Sequence, residues 1–483
     1  MKKIFLLLIV LNLILIKFSF GQASNYNSNI WYFGKYAGIN FNNGYPVSIS
    51  GGKTNTIEGV ATICDLNGNL LFYCDGSQVY NRYHQQMPNG SGLLGHTSAS
   101  QSCIIVPDLN NNGLFFVFTV DAVENHLQNG LRYSIVDMSL DNGKGDIVPN
   151  QKNILLYSPV SAKITAILNS SENGYWIIAH EWGSNNFLSF KLNSSGLNTT
   201  PVVSSVGSIH NGGAYPTYPW HDGWMNAEGY MKANKNGSKL AVVRYRAELD
   251  ICDFDRNTGH VNSCQTSPII YDQNYGVEFS PNESKLYLST VSSALGTTNY
   301  IYQFDLSQSN SLNNVQVLAH LTNGNEPSAI QVGPDGEVYV SEYNPTSDVP
   351  YLSKINNADL PLPYASYSSN AVSLTSGTSA KRGLPNLYYY KGFHFISEIN
   401  QNQLDQNHQI LFINPNNSST LLFKNPYNEK TEVVIYDITG KIIYQFHLEE
   451  KEEVEKTFNL NKGLYLCTCQ STIHKTSQKF IIN

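Results

Sequence analysis

The sequence predicts an all-β protein: a seven-bladed β-propeller followed by a small C-terminal β-sandwich. Two observations carry the large domain. A strand–turn–strand pattern recurs along the chain at roughly 50-residue spacing, which is the length of one propeller blade. The composition fits it, since 31 Tyr, 21 Phe and 36 Gly belong with strands and turns rather than with helical bundles. A third observation separates the tail, because the last ~75 residues change texture after a polar, aperiodic stretch.

The chain opens with a secretory signal peptide at residues 1–21. Lys2 and Lys3 form its basic start, Ile4–Ile16 its apolar run interrupted only by Asn12, and Ser19-Phe20-Gly21 its cleavage site. Thirteen residues span about 20 Å as a helix, short of the ~30 Å hydrocarbon core, so the segment does not read as an anchor. No Cys lies near the cleavage site, which argues against a lipid anchor, and no later segment reads as a membrane span.

The propeller is expected over residues 29–392. Its copies read GVATICDLNGNLLFY from Gly59, SCIIVPDLNNNGLFFVF from Ser102 and ITAILNSSENGYWIIA from Ile164. They continue as GYMKANKNGSKLAVV from Gly229, GVEFSPNESKLYLS from Gly276 and SAIQVGPDGEVYVS from Ser328. Each copy leads into a third strand, and many into a weaker fourth. The N-terminal NIWYFG and AGINFN lack an innermost strand, and GLPNLYYY from Gly383 is expected to supply it. Joining the two ends closes the ring and hides its edges, at about 52 residues per blade.

A polar linker over 393–409 leads to the tail at 410–483. There Thr431–Tyr436 and Lys441–Phe446 flank Asp437-Ile438-Thr439-Gly440 as a hairpin, and the run EEKEEVEK at 449–456 reads as a solvated loop or edge. Asn414-Pro415-Asn416, IYDITGKII at 435–443, LNKGLYL at 460–466 and KFIIN at 479–483 follow in order. Together they resemble the type A C-terminal sorting domain of the type IX secretion system of Bacteroidetes. The matching positions are Asn414, Pro415, Asp437, Gly440, Lys441, Gly463, Tyr465 and Lys479. The Asn414-Pro415-Asn416 start is shifted from the usual Pro-Asn-Pro, and Cys467 and Cys469 are unusual in that strand. The resemblance implies the type IX machinery as a partner and export through the periplasm to the cell surface or beyond. The middle, through WYFGKYAGINF, EGVATICDLNGNLLFYCDG, NAEGYMKANKNGSKLAVV, YGVEFSPNESKLYLS and RGLPNLYYY, is similar to a family of secreted Bacteroidetes propellers without an assigned reaction.

Charge excludes one large class of function. Thirty basic residues against 37 acidic ones, a net charge of −7, give no field for nucleic acid. Charged residues make up 14% of the chain against about 25% in ordinary globular proteins, so Asn, Ser, Thr and Gly must solvate the surface.

Motifs for chemistry are sparse. Cys252 and Cys264 face each other across the turn DRNTG and make a plausible disulfide, Cys64 and Cys74 a less symmetric one. Neither His180-Glu181-Trp182 nor His221-Asp222 fits a hydrolase elbow or an HExxH metal helix. DLNGN and DLNNNG read as turns rather than calcium loops.

Propeller topology places Glu58, Gln101, Lys163, Glu228, Glu326 and Arg382 near the entries of the innermost strands, around one mouth of the central channel. That ring would bind a polar ligand or satisfy itself by mutual pairing. Trp220 and Trp224, in AYPTYPWHDGW, are the surface candidates for stacking on sugars or anchoring a protein. The expectation is a binding or adhesion module for glycan, matrix or protein ligands, with no catalytic residue, metal ligand or cofactor assigned. The alternative is a lactonase-like hydrolase using the mouth carboxylates, with calcium in the channel.

Overall fold

The computed structural model describes residues 28–213, 223–267, 273–291, 299–308, 311–388, 411–413, 420–425, 429–437, 441–461, 463–470 and 475–482. The predicted signal peptide and linker lie outside them. The chain divides into two compact units, residues 1–397 and 398–483.

Seven antiparallel sheets build the first unit as a propeller. Blade 1 (residues 61–91) runs Ala61–Cys64, Leu70–Cys74, Gln78–Asn81 and Gln86–Ser91 in order. Blades 2 to 6 begin with Cys103–Pro107, Val160–Leu168, Met231–Ala233, Asn274–Phe279 and Glu326–Val332. Blades 2 and 3 gain a fifth strand because two short outer strands share one partner. Blade 7 is the N-terminal sheet Ile30–Phe33, Ala37–Asn40 and Val47–Ile49. Trp31 and Phe41 of blade 7 pack on Tyr339 of blade 6, with ring centroids 5.9 and 5.6 Å apart. This contact joins the first and last sheets and so completes the ring.

The turns follow from local chemistry. Asp65 Oδ1 accepts the backbone N–H groups of Asn67 and Asn69, at 2.9 and 2.8 Å. Asp108 holds the next copy through the N–H of Asn110. These are Asx turns, in which a side chain replaces a backbone acceptor.

Ring closure departs from the expected regular strand. Residues 382–388 follow the innermost position between blades 6 and 1, but among the described residues they form no ladder with Ile30–Phe33. Arg382 O accepts Ala329 N, while Gly383 N and Asn386 N donate to Ile57 O and Val60 O. One parallel bridge joins Pro385 to Val60. The cause is in the residues: Pro385 has no N–H to give a ladder. Gly383 lies so close to blade 1 that a Cβ would collide with the Glu58 carbonyl oxygen. The segment enters beside Glu58 and ends with Tyr388 against Tyr175, at the far end of the blade 3 inner hairpin. It therefore runs the length of the channel.

Cys252 and Cys264 are directly opposite in blade 4 and are disulfide-bonded. Cys64 and Cys74 are free and buried. Cys64 pairs with Leu70 near the turn and Cys74 with Ala61 at the strand start, which separates them by about 10 Å along the ladder.

The second unit has two sheets, ordered Leu411–Ile413, Thr420–Lys424, Glu453–Thr457 and Ile442–Leu448, Thr431–Asp437, Gly463–Gln470, Lys475–Ile482. Leu421, Phe423, Val433, Ile435, Phe458 and Cys467 belong to its core. The charged run forms the turn at Glu449 and the edge strand Glu453–Thr457, with alternating exposure. Charge on such an edge discourages pairing with another chain. Asp437 accepts Lys441 N at 3.1 Å, closing the hairpin. Tyr465 is buried and its hydroxyl donates to Asn461 O. Gly463 and Lys479 lie opposite Ile482 and Leu466 in the last ladder. Asn414, Pro415 and Gly440 lie outside the described residues.

Candidate ligand site at the channel mouth

Glu58 and Glu228 stand one residue before a glycine at the entry of blades 1 and 4. In blade 1 the glycine is required sterically: a Cβ on Gly59 would collide with Ser102 N of blade 2. The two glutamates come from opposite sides of the ring, and the charge of Glu228 disfavours ionisation of Glu58. Burial and like-charge repulsion disfavour ionising both carboxyls at once. Burial, with the Glu228 charge second, raises Glu58 well above the usual carboxylate range. Burial and the nearby Glu124 push Glu228 up to about 7, against a hydrogen bond of 2.8 Å from Ser100 Oγ that favours its charge.

Arg382 joins Glu326, another of the predicted residues, to this pair. Its Nη2 lies 2.7 Å from Glu326 and its Nη1 3.7 Å from Glu58. Its guanidinium also sits 4.9 Å above the Tyr343 ring. Both Arg382 and Glu326 keep about one-fifth of their side-chain surface exposed, 21% and 17%. Solvent therefore reaches the mouth from their side.

Gln101 and Lys163 turn inward instead. Gln101 is fully buried; its Nε2 donates to Met231 O and Asn386 Oδ1, and its Oε1 accepts Met231 N at 2.8 Å. Lys163 is fully buried with its ammonium on the carbonyl oxygens of Val243, Glu228 and Asn226 at 2.6, 2.8 and 3.5 Å. Burial pulls it down to about 7. Three acceptors for three ammonium protons mark a structural clamp between blades 3 and 4.

Several residues here were not singled out from sequence. Asn386 Nδ2 donates to Cys103 O and Ile164 O, so one side chain ties blades 2 and 3 to the closing segment. Lys232, Glu278 and Gln331 form a buried group on the inner strands of blades 4, 5 and 6. The Lys232–Glu278 ion pair spans 3.5 Å, and Lys232 also donates to Gln331. These three occupy the same place in their repeats, two residues before the turn. A polar residue recurring inside an apolar strand is a readable signal.

The aromatic rim lies alongside. Trp224 stacks on Trp182 with centroids 5.6 Å apart and planes 17° apart, and His126 contacts Trp224 at 5.2 Å. Both indoles are partly exposed. Glu124, two residues before His126, is exposed and held by Ser98 Oγ at 2.6 Å. Trp220 and the His221-Asp222 pair lie outside the described residues.

His180 and His210 stack face to face, with centroids 3.5 Å apart and both rings fully buried. His180 Nδ1 donates to Glu181 O, and His210 Nδ1 meets Ser161 Oγ. Burial holds both imidazoles neutral, His180 at about 3 and His210 well below its ordinary range, and the charges of Lys163 and Arg244 act in the same direction. Among the described residues no group of three or more His, Cys, Asp or Glu is placed to hold a metal ion. No described helix is long and apolar enough to cross a membrane.

The fold thus defines a β-propeller with a polar mouth, joined to a small β-domain. That small domain has a family: residues 411–483 match the secretion system C-terminal sorting domain. The protein is a propeller carrying a type IX sorting tail, which implies handling by that machinery and export to the cell surface or extracellular space. No curated protein matches the chain.

Solved structures that resemble it are distant. The periplasmic gluconolactonase of Pseudomonas aeruginosa is 11% identical, with a TM-score of 0.36 over 78% of this chain and 94% of that one. A quinonprotein alcohol dehydrogenase-like protein of Bacteroides thetaiotaomicron is 13% identical, with a TM-score of 0.38 over 72% and 78%. The Cps50 (Swd1) β-propeller domain of Myceliophteria thermophila is 9% identical, with a TM-score of 0.37 over 66% and 94%.

Proposed function

We propose that the exported propeller is a glycan-binding module whose ligand docks at the channel mouth. The observation that carries this reading is the partly exposed Trp182–Trp224 stack with His126 beside it, the exposed Glu124 standing two residues before that histidine in the chain. Flat aromatic faces accept sugar rings, and neighbouring carboxyls accept their hydroxyls. The inner channel supports the same reading, because its side chains bind one another and the closing segment, leaving the mouth as the docking surface. Binding of the full-length protein to a glycan array should fall at least tenfold, about 1.4 kcal/mol, in the Trp182→Ala/Trp224→Ala variant. Unchanged binding in that variant would remove the rim from consideration.

A second reading, a hydrolase, has one observation of its own. Burial raises Glu58 well above the usual carboxylate range and Glu228 to about 7, and two carboxyls so shifted offer an acid and a base. It predicts cleavage of a bound ligand that Glu58→Gln abolishes while binding persists.

A further inference from the structure

We propose that residues 206–213 are a strap that holds the aromatic rim together at neutral pH and releases it in acid, because the strap's buried fastener is a histidine. The inference rests on the glycan-binding reading and adds a regulation of that rim.

Little in the sequence of this segment anchors it. Between Val202–Ser205 of blade 3 and Met231–Ala233 of blade 4 the chain passes through VGSIHNGG at 206–213. Gly207, Gly212 and Gly213 have φ of 75°, 67° and 94°, so glycines that turn freely lie on both sides of the middle, where hinges belong. Of residues 206–213 only His210 is buried, and Ile209 beside it is 51% exposed. One side chain therefore fastens the segment, and that side chain titrates.

The backbone of the strap carries both indoles of the rim. His210 N donates to Ser184 O and His210 O accepts Gly183 N, both at 2.8 Å, directly after Trp182. Gly213 O accepts the amides on either side of Trp224, Gly223 N at 2.9 Å and Met225 N at 3.4 Å. The approach there is close, since a Cβ on Gly213 would lie 2.6 Å from Asn226 N. The two stacked rings thus hang from two points of one short segment.

The fastener cannot take a proton in place. His210 lies face to face on His180 at 3.5 Å, Phe187 stands edge-on to His180 at 4.6 Å, and neither histidine is exposed. A proton on either ring would be a buried, unsolvated charge. The charged groups facing the pair are Lys163 of blade 3 and Arg244 of blade 4, both cations. Glu181 meets His180 through its carbonyl oxygen, while Tyr157, Ser184 and Asn186 occupy its carboxylate. Glu248 pairs with Arg244 at 2.6 Å, and Asp250 accepts Ser208. A solvated imidazole takes its proton near 6.5, so the open strap binds protons that the closed one refuses. At pH 5 each freed imidazole favours opening about thirtyfold.

The test is hydrogen exchange of the full chain at pH 7.5 and 5.0, corrected for the intrinsic exchange rate at each pH. Protection of the Gly183, His210, Gly223 and Met225 amides should fall at least about tenfold at pH 5.0, while the blade 5 strand Lys285–Thr290 keeps its protection. His210→Phe keeps a ring in place with no proton to gain, so its strap should stay closed at both pH values. His180→Phe leaves one titrating ring and should show a smaller fall than the parent. Equal protection at the two pH values in the parent overturns the strap. A fall shared by Lys285–Thr290 overturns it too, because the whole propeller then unfolds. Protection lost at His210 but kept at Gly223 and Met225 overturns its hold on the rim. On the glycan array the parent signal should drop at least about tenfold at pH 5.0 and the His210→Phe signal should persist; an undiminished parent signal overturns the regulation. A blank array at both pH values ends the glycan reading and leaves the strap to stand or fall on exchange.

Discussion

The channel interior and the channel mouth treat buried polar groups in opposite ways. Inside, every group named above has its counterpart: Lys163 has three carbonyl oxygens, Lys232 has Glu278 and Gln331, and Gln101 and Asn386 bind each other and three strands. At the mouth, Glu58 and Glu228 are held in or near their neutral forms by burial, as is the His180–His210 stack beside Ser161 and Glu181. Burial without compensation is unfavourable for a charge, and folds keep such places mainly where something acts on them. The interior is therefore the frame, and the mouth is the part of the ring that answers to a ligand or to pH.

The frame is where substitution should cost most. Asn386→Leu leaves the carbonyls of Cys103 and Ile164 without their donor and Gln101 without an acceptor. At roughly 1–3 kcal/mol for each unsatisfied buried group, the propeller should lose about 4 kcal/mol. Denaturant unfolding of the full chain checks this, and a loss below about 1 kcal/mol would mean that the closing segment does not lock the ring.

That segment also shows how far sequence reading reaches. The repeats were legible because a strand pattern and Asx turns at Asp65 and Asp108 are local chemistry, written in adjacent residues. The sorting domain was legible for the same reason. The mouth was legible in part: topology alone brought Glu58, Glu326 and Arg382 together. Asn386 was hidden because its partners lie 222 and 283 residues away, and only ring closure creates that neighbourhood. The irregular course of residues 382–388 was hidden too, although Pro385 argued against a regular strand. His180 and His210 were read one at a time, and nothing local says that they stack.

The two stacked histidines and the mouth glutamates predict two opposed limbs below pH 7, whereas the interior Lys163, drawn from 10.5 to about 7, acts only above pH 7. The acid limb belongs to the histidines. His180 takes a proton at 6.5 when unfolded but only at about 3 when folded, so below pH 6.5 the unfolded chain binds more protons and stability falls. The slope approaches roughly 1.4 kcal/mol per pH unit for each buried imidazole. Thermal unfolding between pH 6.5 and 4.5 should show it, and His180→Phe should flatten it. The glutamates described next pull the opposite way over the same range, so the readout is the difference in slope between the parent and His180→Phe; no difference would place the pair outside the burial described here.

The opposite limb belongs to the glutamates and is smaller. Glu228 ionises at 4.5 when unfolded and at about 7 when folded. Its contribution is present below pH 4.5 and is lost as pH rises toward 7, on the order of 3 kcal/mol with the opposing pulls of Ser100 and Arg382 already included. Glu228→Gln keeps the shape and has no charge to lose, so it should remove this limb and gain stability at pH 7 relative to the parent. A loss of stability at pH 7 on that substitution would mean that Glu228 is charged and paired in the folded protein.

The smallest effect is the one that separates the two regions most cleanly. Glu124 is exposed, so Glu124→Gln should change overall stability by no more than about 0.5 kcal/mol. Its charge nevertheless stands first among the neighbours that raise Glu228. Removing it should move the midpoint of the Glu228 limb downward, and added salt should mimic part of that move because an exposed charge is screened. Nothing in the interior group of Lys232, Glu278 and Gln331 should respond to either change. Spectroscopic titration of the Glu228 carboxyl in parent and Glu124→Gln proteins reads the shift directly. An unmoved midpoint would detach Glu124 from the buried pair, and with it the path by which a ligand on the rim reaches the channel mouth.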